Sequence, residues 1–394
     1  MKKTLKLLNI ILIAGFFYIL NTSACLIEVG NPEAASTSDF GSSSYPPAPL
    51  SNPVPLDSPG AVTPISFLPD TGQNLCSSGI NADSTMLIPS DIEVSVPGQD
   101  GHYENIPESL EQIPYSANDI VYDYASGLIW QRCSAGETYH ENACVKTEEL
   151  LYTKSEADNY CSALNTTNTS TLLWRLPEIH EILLLPDYGH FLPVVNNAVF
   201  IHNYSGSGSL DYWSNTASSS GPLWGLDLLY GQNILISETS QARVRCVAAL
   251  PIENRQNYLN NSNGTITDTG SNLTWLICPL SDSLSPLDHA NSCSLTKASL
   301  TWVNALHACE NLDYAGRTDW RLPSVRELAS VANFTSTDAI KIDNTAFPGS
   351  NGSYWSSTTD LADVTNAYFF NFNEAQISSL LKNTEIFVRC VTGP

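Results

Sequence analysis

The string DWRLPSVREL (residues 319–328) has a near copy, LWRLPEIHEI (residues 173–182), earlier in the chain. Both contain the motif Trp-Arg-Leu-Pro, and in both a Glu follows the Trp seven positions later. A match of this length and order indicates that a domain has been duplicated. The motif therefore marks either a repeated active site or a repeated structural element.

The residues after the proline predict the start of a helix. Ser324 and Glu327 have the Ser-x-x-Glu spacing of a capping box, in which each side chain accepts from the other residue's backbone N–H. The earlier copy has Glu178 and Glu181 at these positions, which is a poorer cap. We therefore predict a structural role for the motif.

The other motif residues fit the same interpretation. Trp174 and Trp320 are expected to fill the core. Arg175 and Arg321 stand between a Trp and a Leu, and are expected to be partly buried and paired with a carboxylate or with carbonyls. An arginine that binds a ligand is the alternative.

Further strings recur in the same order around the motif. They are YDYASGLIW and TDTGSNLTW, ADNYCSAL and ALHACENL, NNAVF and DNTAF, YWSN and YWSS, and VRCV in both copies. They predict two tandem domains, repeat 1 (residues 116–250) and repeat 2 (residues 265–394), with a linker at residues 251–264. The spacing of apolar residues in TWVNALHACENL predicts a helix, and the later aromatic and β-branched segments predict strands. The fold class expected is α+β, with helices early and strands late.

The cysteines support an exported, disulfide-stabilised protein. Each repeat contains four in matching positions: Cys133, Cys144, Cys161 and Cys246, then Cys278, Cys293, Cys309 and Cys390. Four cysteines allow three pairings, and the most parsimonious joins the first two and ties the predicted helix to the last strand. A metal site is the competing interpretation, but no C-x-x-C spacing supports it. Cys76 is left without an obvious partner.

The N-terminus resembles an export signal. Residues 1–24 contain three lysines and then an apolar stretch, and NTSAC resembles a lipobox in which Cys25 becomes lipidated. Cleavage by an ordinary signal peptidase is the alternative. Residues 25–72 are rich in Ser and Pro and predict a disordered tether, and residues 73–115 form a turn-rich lead-in.

The charge balance limits the possible partners. The 394 residues include 17 Lys and Arg against 40 Asp and Glu, a net charge of -23. Binding to nucleic acid requires clustered basic residues, so we expect no nucleic acid partner. The same balance disfavours an anionic polysaccharide. None of the common nucleotide-binding or hydrolase motifs is present, so we expect no enzymatic activity and no cofactor.

The most plausible ligand contacts lie near the YWSN string. Trp213, Asn215, Trp224 and Asp227 could line an aromatic or carboxylate-containing site. Asn215 could also bind Ca²⁺ with help from Asp211 or Asp227, since calcium prefers oxygen ligands. This is the only metal site that the sequence suggests.

The ordered set of motifs resembles the Lcl C-terminal domain family, named after a domain of the Legionella collagen-like adhesin. The pattern is D-x-x-x-G-L-x-W, W-x-x-A-x-x-x-C-x-x-L, WRLP-x-x-x-EL, YWSS and VRCV, and repeat 2 matches it better. The resemblance implies a C-type-lectin-like fold for each repeat, with a disulfide between the helix and the last strand. It also implies a role in surface adhesion.

These observations predict an exported, lipid-anchored protein of the bacterial cell envelope that presents two lectin-like binding modules. Its expected partners are a membrane, through the lipid, and a glycan or matrix protein. A structural envelope lipoprotein is one alternative. An enzyme with a single active repeat is another.

Overall fold

A computed structural model describes most of both repeats and short parts of the lead-in. The described residues are 68, 71–73, 76–77, 86–87, 98–102, 112–115, 119–123, 125–141, 143–146, 151–167, 173–200, 209–248, 257–281, 293 and 296–393. The predicted signal peptide, Cys25 and nearly all of the predicted tether lie outside them. In the described part of the chain, no helix is both long and apolar enough to cross a membrane.

The described residues of the lead-in form short elements. They are β1 (Cys76–Ser77), β2 (Met86–Leu87), a 3-10 helix (Asp100–His102) and β3 (Gln112–Tyr115). β1 and β2 form an antiparallel hairpin, and β3 adds to the edge of the first sheet of repeat 1.

Within its described residues, repeat 1 has two helices and a larger number of strands. Its elements are β4 (Ile120–Asp123), β5 (Leu128–Gln131), β6 (Glu137–His140), β7 (Ala143–Lys146), α1 (Lys154–Thr167), β8 (Trp174–Arg175), α2 (Ile179–Ile182), β9 (Asp211–Ala217), β10 (Leu223–Asp227), β11 (Gln232–Ile236) and β12 (Val247–Ala248). The sheets have the strand orders β3-β4-β5-β12-β8 and β11-β10-β9, and β6 and β7 form a separate hairpin.

Repeat 2 follows the same plan, and residues 257–264 of the predicted linker are counted with it, because β13 pairs with β14. Its elements are β13 (Tyr258–Asn260), β14 (Thr265–Asp268), β15 (Thr274–Leu276), β16 (Ser299–Leu300), α3 (Trp302–Glu310), α4 (Val325–Ser330), β17 (Ser353–Thr359), β18 (Asn366–Asn371), β19 (Gln376–Leu381), β20 (Ile386–Phe387) and β21 (Val391–Thr392). The sheets have the orders β13-β14-β15-β21 and β16-β20-β17-β18-β19. In each repeat the last strand pairs with an early one, β12 with β5 and β21 with β15, so the chain closes on itself.

The predicted α+β, C-type-lectin-like fold is wrong. The described residues form mostly small antiparallel sheets, only 14% of them are helical, and the sheets are arranged like a four-bladed β-propeller. The predicted helices do exist, but those that open at the WRLP motif contain only four and six residues. Because turns interrupt the remaining sequence at short intervals, most of it forms short hairpins instead.

The predicted disulfides are confirmed. The bridges are Cys133–Cys144, Cys161–Cys246, Cys278–Cys293 and Cys309–Cys390. In each repeat the second bridge joins the first helix to the segment just before the last strand. Cys76, which the sequence leaves unpaired, is also disulfide-bonded, and its partner lies outside the described residues.

The repeats pack against each other through equivalent surfaces. Trp224 in β10 and Tyr368 in β18 occupy the same position in their strands. The Trp224 ring meets Phe334 edge to face at 5.4 Å, and the Tyr368 ring meets Tyr188 in the same way at 5.0 Å. Phe334 and Tyr188 are themselves equivalent by their distance from the WRLP motif. An interface that uses one patch twice is isologous, so the repeats are related by an approximate two-fold axis.

Asn233 joins the repeats near this axis. It is fully buried, and its side chain donates to the Ala375 carbonyl at 2.7 Å and accepts from the Ile377 N–H at 2.8 Å. One hydrophobic cluster contains core residues of both repeats. The two repeats therefore form one packed unit.

Candidate functional site

The arginines of the WRLP motif each form a two-point salt bridge. Arg175 donates to both carboxylate oxygens of Glu181, at 2.6 and 2.7 Å. Arg321 donates to both oxygens of Glu327, at 2.7 and 2.6 Å. Such planar pairing fixes orientation as well as charge. Since each guanidinium is held by an internal carboxylate in the same way, the geometry gives the motif a structural role in both repeats.

The Ser-x-x-Glu cap is present as predicted. The Ser324 hydroxyl accepts from the Glu327 N–H at 3.2 Å, and the Glu327 carboxylate accepts from the Ser324 N–H at 2.7 Å. In repeat 1, Glu181 accepts from the Glu178 N–H at 2.8 Å. The Glu178 carboxylate accepts from the Thr216 hydroxyl at 2.5 Å.

Two further arginines, in the VRCV strings, support the fold and were not singled out from the sequence. Arg389 is fully buried and donates to the Ile277 carbonyl at 2.7 Å and to the Ser350 hydroxyl at 2.6 Å. Burial lowers its pKa to about 10. Arg245 is equally buried and donates to the Gln131 carbonyl at 2.7 Å. The repetition of VRCV in both repeats is the sequence signal that could have identified these two arginines.

The two tryptophans predicted to contact a ligand are core residues. Trp213 is fully buried, and its indole N–H donates to the Tyr152 carbonyl at 2.7 Å. Trp224 lies in the interface between the repeats, and its indole N–H donates to the Phe334 carbonyl at 2.8 Å. Neither ring presents a face to solvent.

The polar candidates do not come together. Asp211 and Asp227 are directly opposite each other at one end of the β9–β10 pair. Asn215 is four residues further along β9, which places it about 13 Å away at the usual rise per residue. Asn215 instead accepts from Lys154 Nζ at 3.2 Å. Among the described residues, no three or more His, Cys, Asp or Glu side chains form a group that could hold a metal ion.

Asp227 has a local structural task. Its carboxylate accepts from the Leu229 N–H at 2.9 Å, which stabilises the turn between β10 and β11. Burial raises the pKa of Asp227, and the nearby Asp211 carboxylate raises it further.

Three exposed apolar side chains lie on two neighbouring loops of repeat 1. Phe191 is 58% exposed, Leu192 47% and Tyr230 47%. The loops are joined at their bases, where the Tyr188 hydroxyl donates to the Gly231 carbonyl at 2.7 Å and the Val194 N–H donates to the Leu228 carbonyl at 3.0 Å. We call Phe191, Leu192 and Tyr230 the apolar tip. Exposed apolar groups in a fixed loop are typical of an interaction surface.

A family model for the Lcl C-terminal domain matches residues 119–248 and residues 264–392. The chain belongs to the Lcl C-terminal domain family. Membership of this family suggests an adhesin-like protein. No curated protein matches the chain.

The two Lcl C-terminal domains differ at the apolar tip. The Lys341 N–H donates to the Phe372 carbonyl in repeat 2, as the Val194 N–H donates to the Leu228 carbonyl in repeat 1, and this equivalence fixes the local alignment. Asp338 then corresponds to Phe191, Ala339 to Leu192, and Glu374 to Tyr230. The apolar tip is therefore a property of repeat 1. The sequence signal for it is the alignment of HFLP (residues 190–193) with TDAI (residues 337–340).

The Lcl C-terminal domains also carry different buried titratable groups. In repeat 1, His180 packs edge to face on Phe334 of repeat 2 at 4.9 Å, and burial lowers its pKa. In repeat 2, Lys382 donates to the Thr359 hydroxyl at 3.1 Å and lies 4.0 Å from the centre of the Trp302 ring. Burial lowers the pKa of Lys382 to about 7.

Proposed function

We propose that this protein is an exported, adhesin-type binding protein whose ligand contacts the apolar tip of repeat 1. The single observation that carries the proposal is the exposure of Phe191, Leu192 and Tyr230 on two loops that are hydrogen-bonded at their bases. Aromatic side chains held in place are frequent binding hot spots, because little conformational entropy is lost when they are covered. Family membership supports the same class of function.

The chemistry of the tip favours a matrix-type protein or an uncharged glycan as ligand. Aromatic rings pack against apolar protein groups and also against the C–H faces of sugars. The net charge of -23 would repel sulfated polysaccharides. We therefore expect binding that changes little with salt concentration.

We further propose that the protein is exported to the bacterial cell envelope and that residues 1–24 are removed as a signal peptide. The predicted lipidation of Cys25 conflicts with the disulfide of Cys76, because the other eight cysteines pair among themselves and a thioether would use the one sulfur that remains in the chain. Mass spectrometry of the mature N-terminal peptide distinguishes the two. Acyl chains on Cys25 would establish a lipid anchor, and an unmodified peptide linked to Cys76 would contradict it.

Binding can be tested with the unlipidated chain from residue 25 onward on glycan and matrix-protein arrays. We expect a ligand whose signal falls at least about tenfold when Phe191 and Tyr230 are both changed to Ser, as for loss of two hot-spot side chains. Leu259→Ser is the matched control, because Leu259 is also 58% exposed but lies in repeat 2.

Two outcomes would contradict the proposal. Array signals that the Phe191→Ser/Tyr230→Ser variant retains would place the binding surface elsewhere. An equal loss in Leu259→Ser would show that general exposed apolar area, and not the tip, is responsible. Adding Ca²⁺ or a chelator to each array tests the calcium hypothesis at Asn215 separately.

A further inference from the structure

Parts of the lead-in and of the residues just before it pack into the junction of the two repeats. We call residues 71–73 and 98–102 the N-terminal strap. Thr71, Gln73 and Asp100 are all buried. Burial of this kind is unexpected for a spacer between an anchor and a binding domain, so the strap has a specific structural task.

On one side the strap lies against the base of the loop that carries Phe191. The Tyr188 N–H donates to the Thr71 carbonyl at 2.7 Å. A Cβ added at Gly72 would lie 2.2 Å from Asp187 Oδ1, and one added at Gly189 would lie 2.1 Å from the Gly72 carbonyl oxygen. The contact is therefore too close for any larger residue at position 72.

On the other side the strap is attached to repeat 2. The Gln73 side chain accepts from the Thr359 N–H at 2.9 Å and donates to the Thr359 carbonyl at 2.8 Å. The Asp100 carboxylate accepts from the Thr358 hydroxyl at 2.6 Å and from the Thr71 hydroxyl at 2.7 Å. The strap thus links the tip-bearing loop of repeat 1 to β17 of repeat 2.

The equivalent loop of repeat 2 is stabilised in a different way. Its base is closed by the Asn333 N–H and the Lys341 carbonyl, as the Asp187 N–H and the Val194 carbonyl close the loop of repeat 1. Lys341 Nζ then donates to the Ser336 carbonyl at 2.8 Å and to the Asp338 carbonyl at 2.7 Å, across the loop. Val194 occupies the position of Lys341 and has no such donor.

We propose that the strap is a positioning element of the binding surface: it holds residues 187–194 in the conformation that presents Phe191 and Leu192. In repeat 1 the strap takes the place of the hydrogen bonds that Lys341 makes across the equivalent loop of repeat 2. Leu192 has a φ of 48°, in the left-handed region that L-residues adopt only when their surroundings hold them there. Gly72 and Gln73 are the positioning residues, and this assignment rests on the proposed role of the tip.

Gly72→Ala in the chain from residue 25 onward tests the strap, with Gly264→Ala as matched control outside it. Both glycines have positive φ, 80° and 86°, and an added Cβ would meet a side chain at both positions, Asp187 at position 72 and Tyr314 of repeat 2 at position 264. Native-state hydrogen exchange at the Asp187 and Val194 amides is the readout, because their bonds lie within repeat 1. We expect Gly72→Ala to speed this exchange at least about tenfold, as in local unfolding, and Gly264→Ala to leave it near wild type.

Ligand affinity is measured on the same proteins, and we expect it to weaken in parallel with the faster exchange. If Gly72→Ala does not fold, Gln73→Ala removes the attachment to Thr359 without backbone strain and should give a smaller increase in the same amides. Unchanged exchange in Gly72→Ala and Gln73→Ala, or equal increases in Gly72→Ala and Gly264→Ala, would overturn the proposal. If the wild-type chain binds nothing on the arrays, the proposed function fails, while the exchange result still decides whether the strap positions the loop.

Discussion

Repeat 1 and repeat 2 share their internal stabilising contacts and differ in their exposed loops. Both contain the bidentate Arg–Glu pair after the WRLP motif and the same two disulfides. At the tip, repeat 1 has Phe191 and Tyr230 where repeat 2 has Asp338 and Glu374. The two repeats share the salt bridges and disulfides that stabilise the fold, while their loop residues differ in polarity and charge. Function is therefore best sought where the repeats disagree.

A second difference concerns the end of the long strand of each repeat. In repeat 2 the Thr358 hydroxyl donates to Asp100 of the strap, whereas in repeat 1 the equivalent Thr216 donates to Glu178 of its own motif. The threonine at this position therefore bonds to the strap in repeat 2, and to a residue of its own repeat in repeat 1. Repeat 2 serves as the support and repeat 1 presents the tip.

The largest expected effect tests whether the shared Arg–Glu pair is equally important in both repeats. The Glu327 side chain is 11% exposed and that of Glu181 is 0% exposed. Arg321→Ala and Arg175→Ala should each lower the free energy of unfolding by about 3–5 kcal/mol, because each leaves a buried carboxylate unpaired. Chemical denaturation measures both.

Changing both partners, Arg321→Met with Glu327→Leu, is the control and should recover much of the loss, because no buried charge remains. A clear loss in only one of Arg321→Ala and Arg175→Ala would contradict an equal role of the pair in both repeats.

The next effect concerns the junction between the repeats. Asn233→Ala leaves the Ala375 carbonyl and the Ile377 N–H without their partner, which should cost about 2–3 kcal/mol. Asn261→Ala is the comparison, because Asn261 also makes two side-chain bonds but within repeat 2 and nearer the surface. It should change stability by about 0.5 kcal/mol or less. A small loss for Asn233→Ala in denaturation would mean that the repeats are not held together near the two-fold axis.

A pH-dependent effect should separate Lys382 from its exposed counterpart in repeat 1, Glu238. The pKa of Lys382 is about 7 in the folded protein and near 10.4 when unfolded, so the unfolded chain binds more protons between these values. Stability should therefore rise with pH there, by about 2 kcal/mol from pH 7 to pH 9. Denaturation of Lys382→Met across this range should lack that rise. The same slope in the variant would assign it to other groups.

The smallest effect concerns the helix caps. Ser324→Ala should lower the free energy of unfolding by about 1 kcal/mol, since one hydroxyl acceptor at the cap is lost. Ligand binding should be unchanged, because Ser324 lies directly after the WRLP motif of repeat 2, whereas the apolar tip lies in repeat 1. Thermal unfolding and the array assay test the two statements, and a large loss of binding with intact stability would reassign the motif to function.

The sequence predicted the parts of this protein that depend on local spacing or on duplication. The cysteine pairs, the Ser324 cap and the helix at TWVNALHACENL follow from short-range patterns that occur twice. The fold class did not follow, because short helices produce strong periodic signals, whereas the pairing of distant strands such as β15 and β21 leaves little trace in composition.

The candidate site could also be predicted only in part from the sequence. Trp213 and Trp224 look like ligand contacts because aromatic residues suit both cores and binding sites, and only burial separates the two roles. The strap could not have been inferred, since Gln73 and Asp100 act through contacts with residues 286 and 258 positions away. The apolar tip was accessible, from the contrast between the two repeats at one loop.

The most direct test of the central claim, that repeat 1 alone presents the ligand-contact surface, is the binding stoichiometry. Native mass spectrometry of the unlipidated chain with the strongest array ligand should show one ligand per chain. The Phe191→Ser/Tyr230→Ser variant should show none. Two ligands per wild-type chain, or one retained by the variant, would mean that repeat 2 also binds and that the difference between the repeats does not determine function.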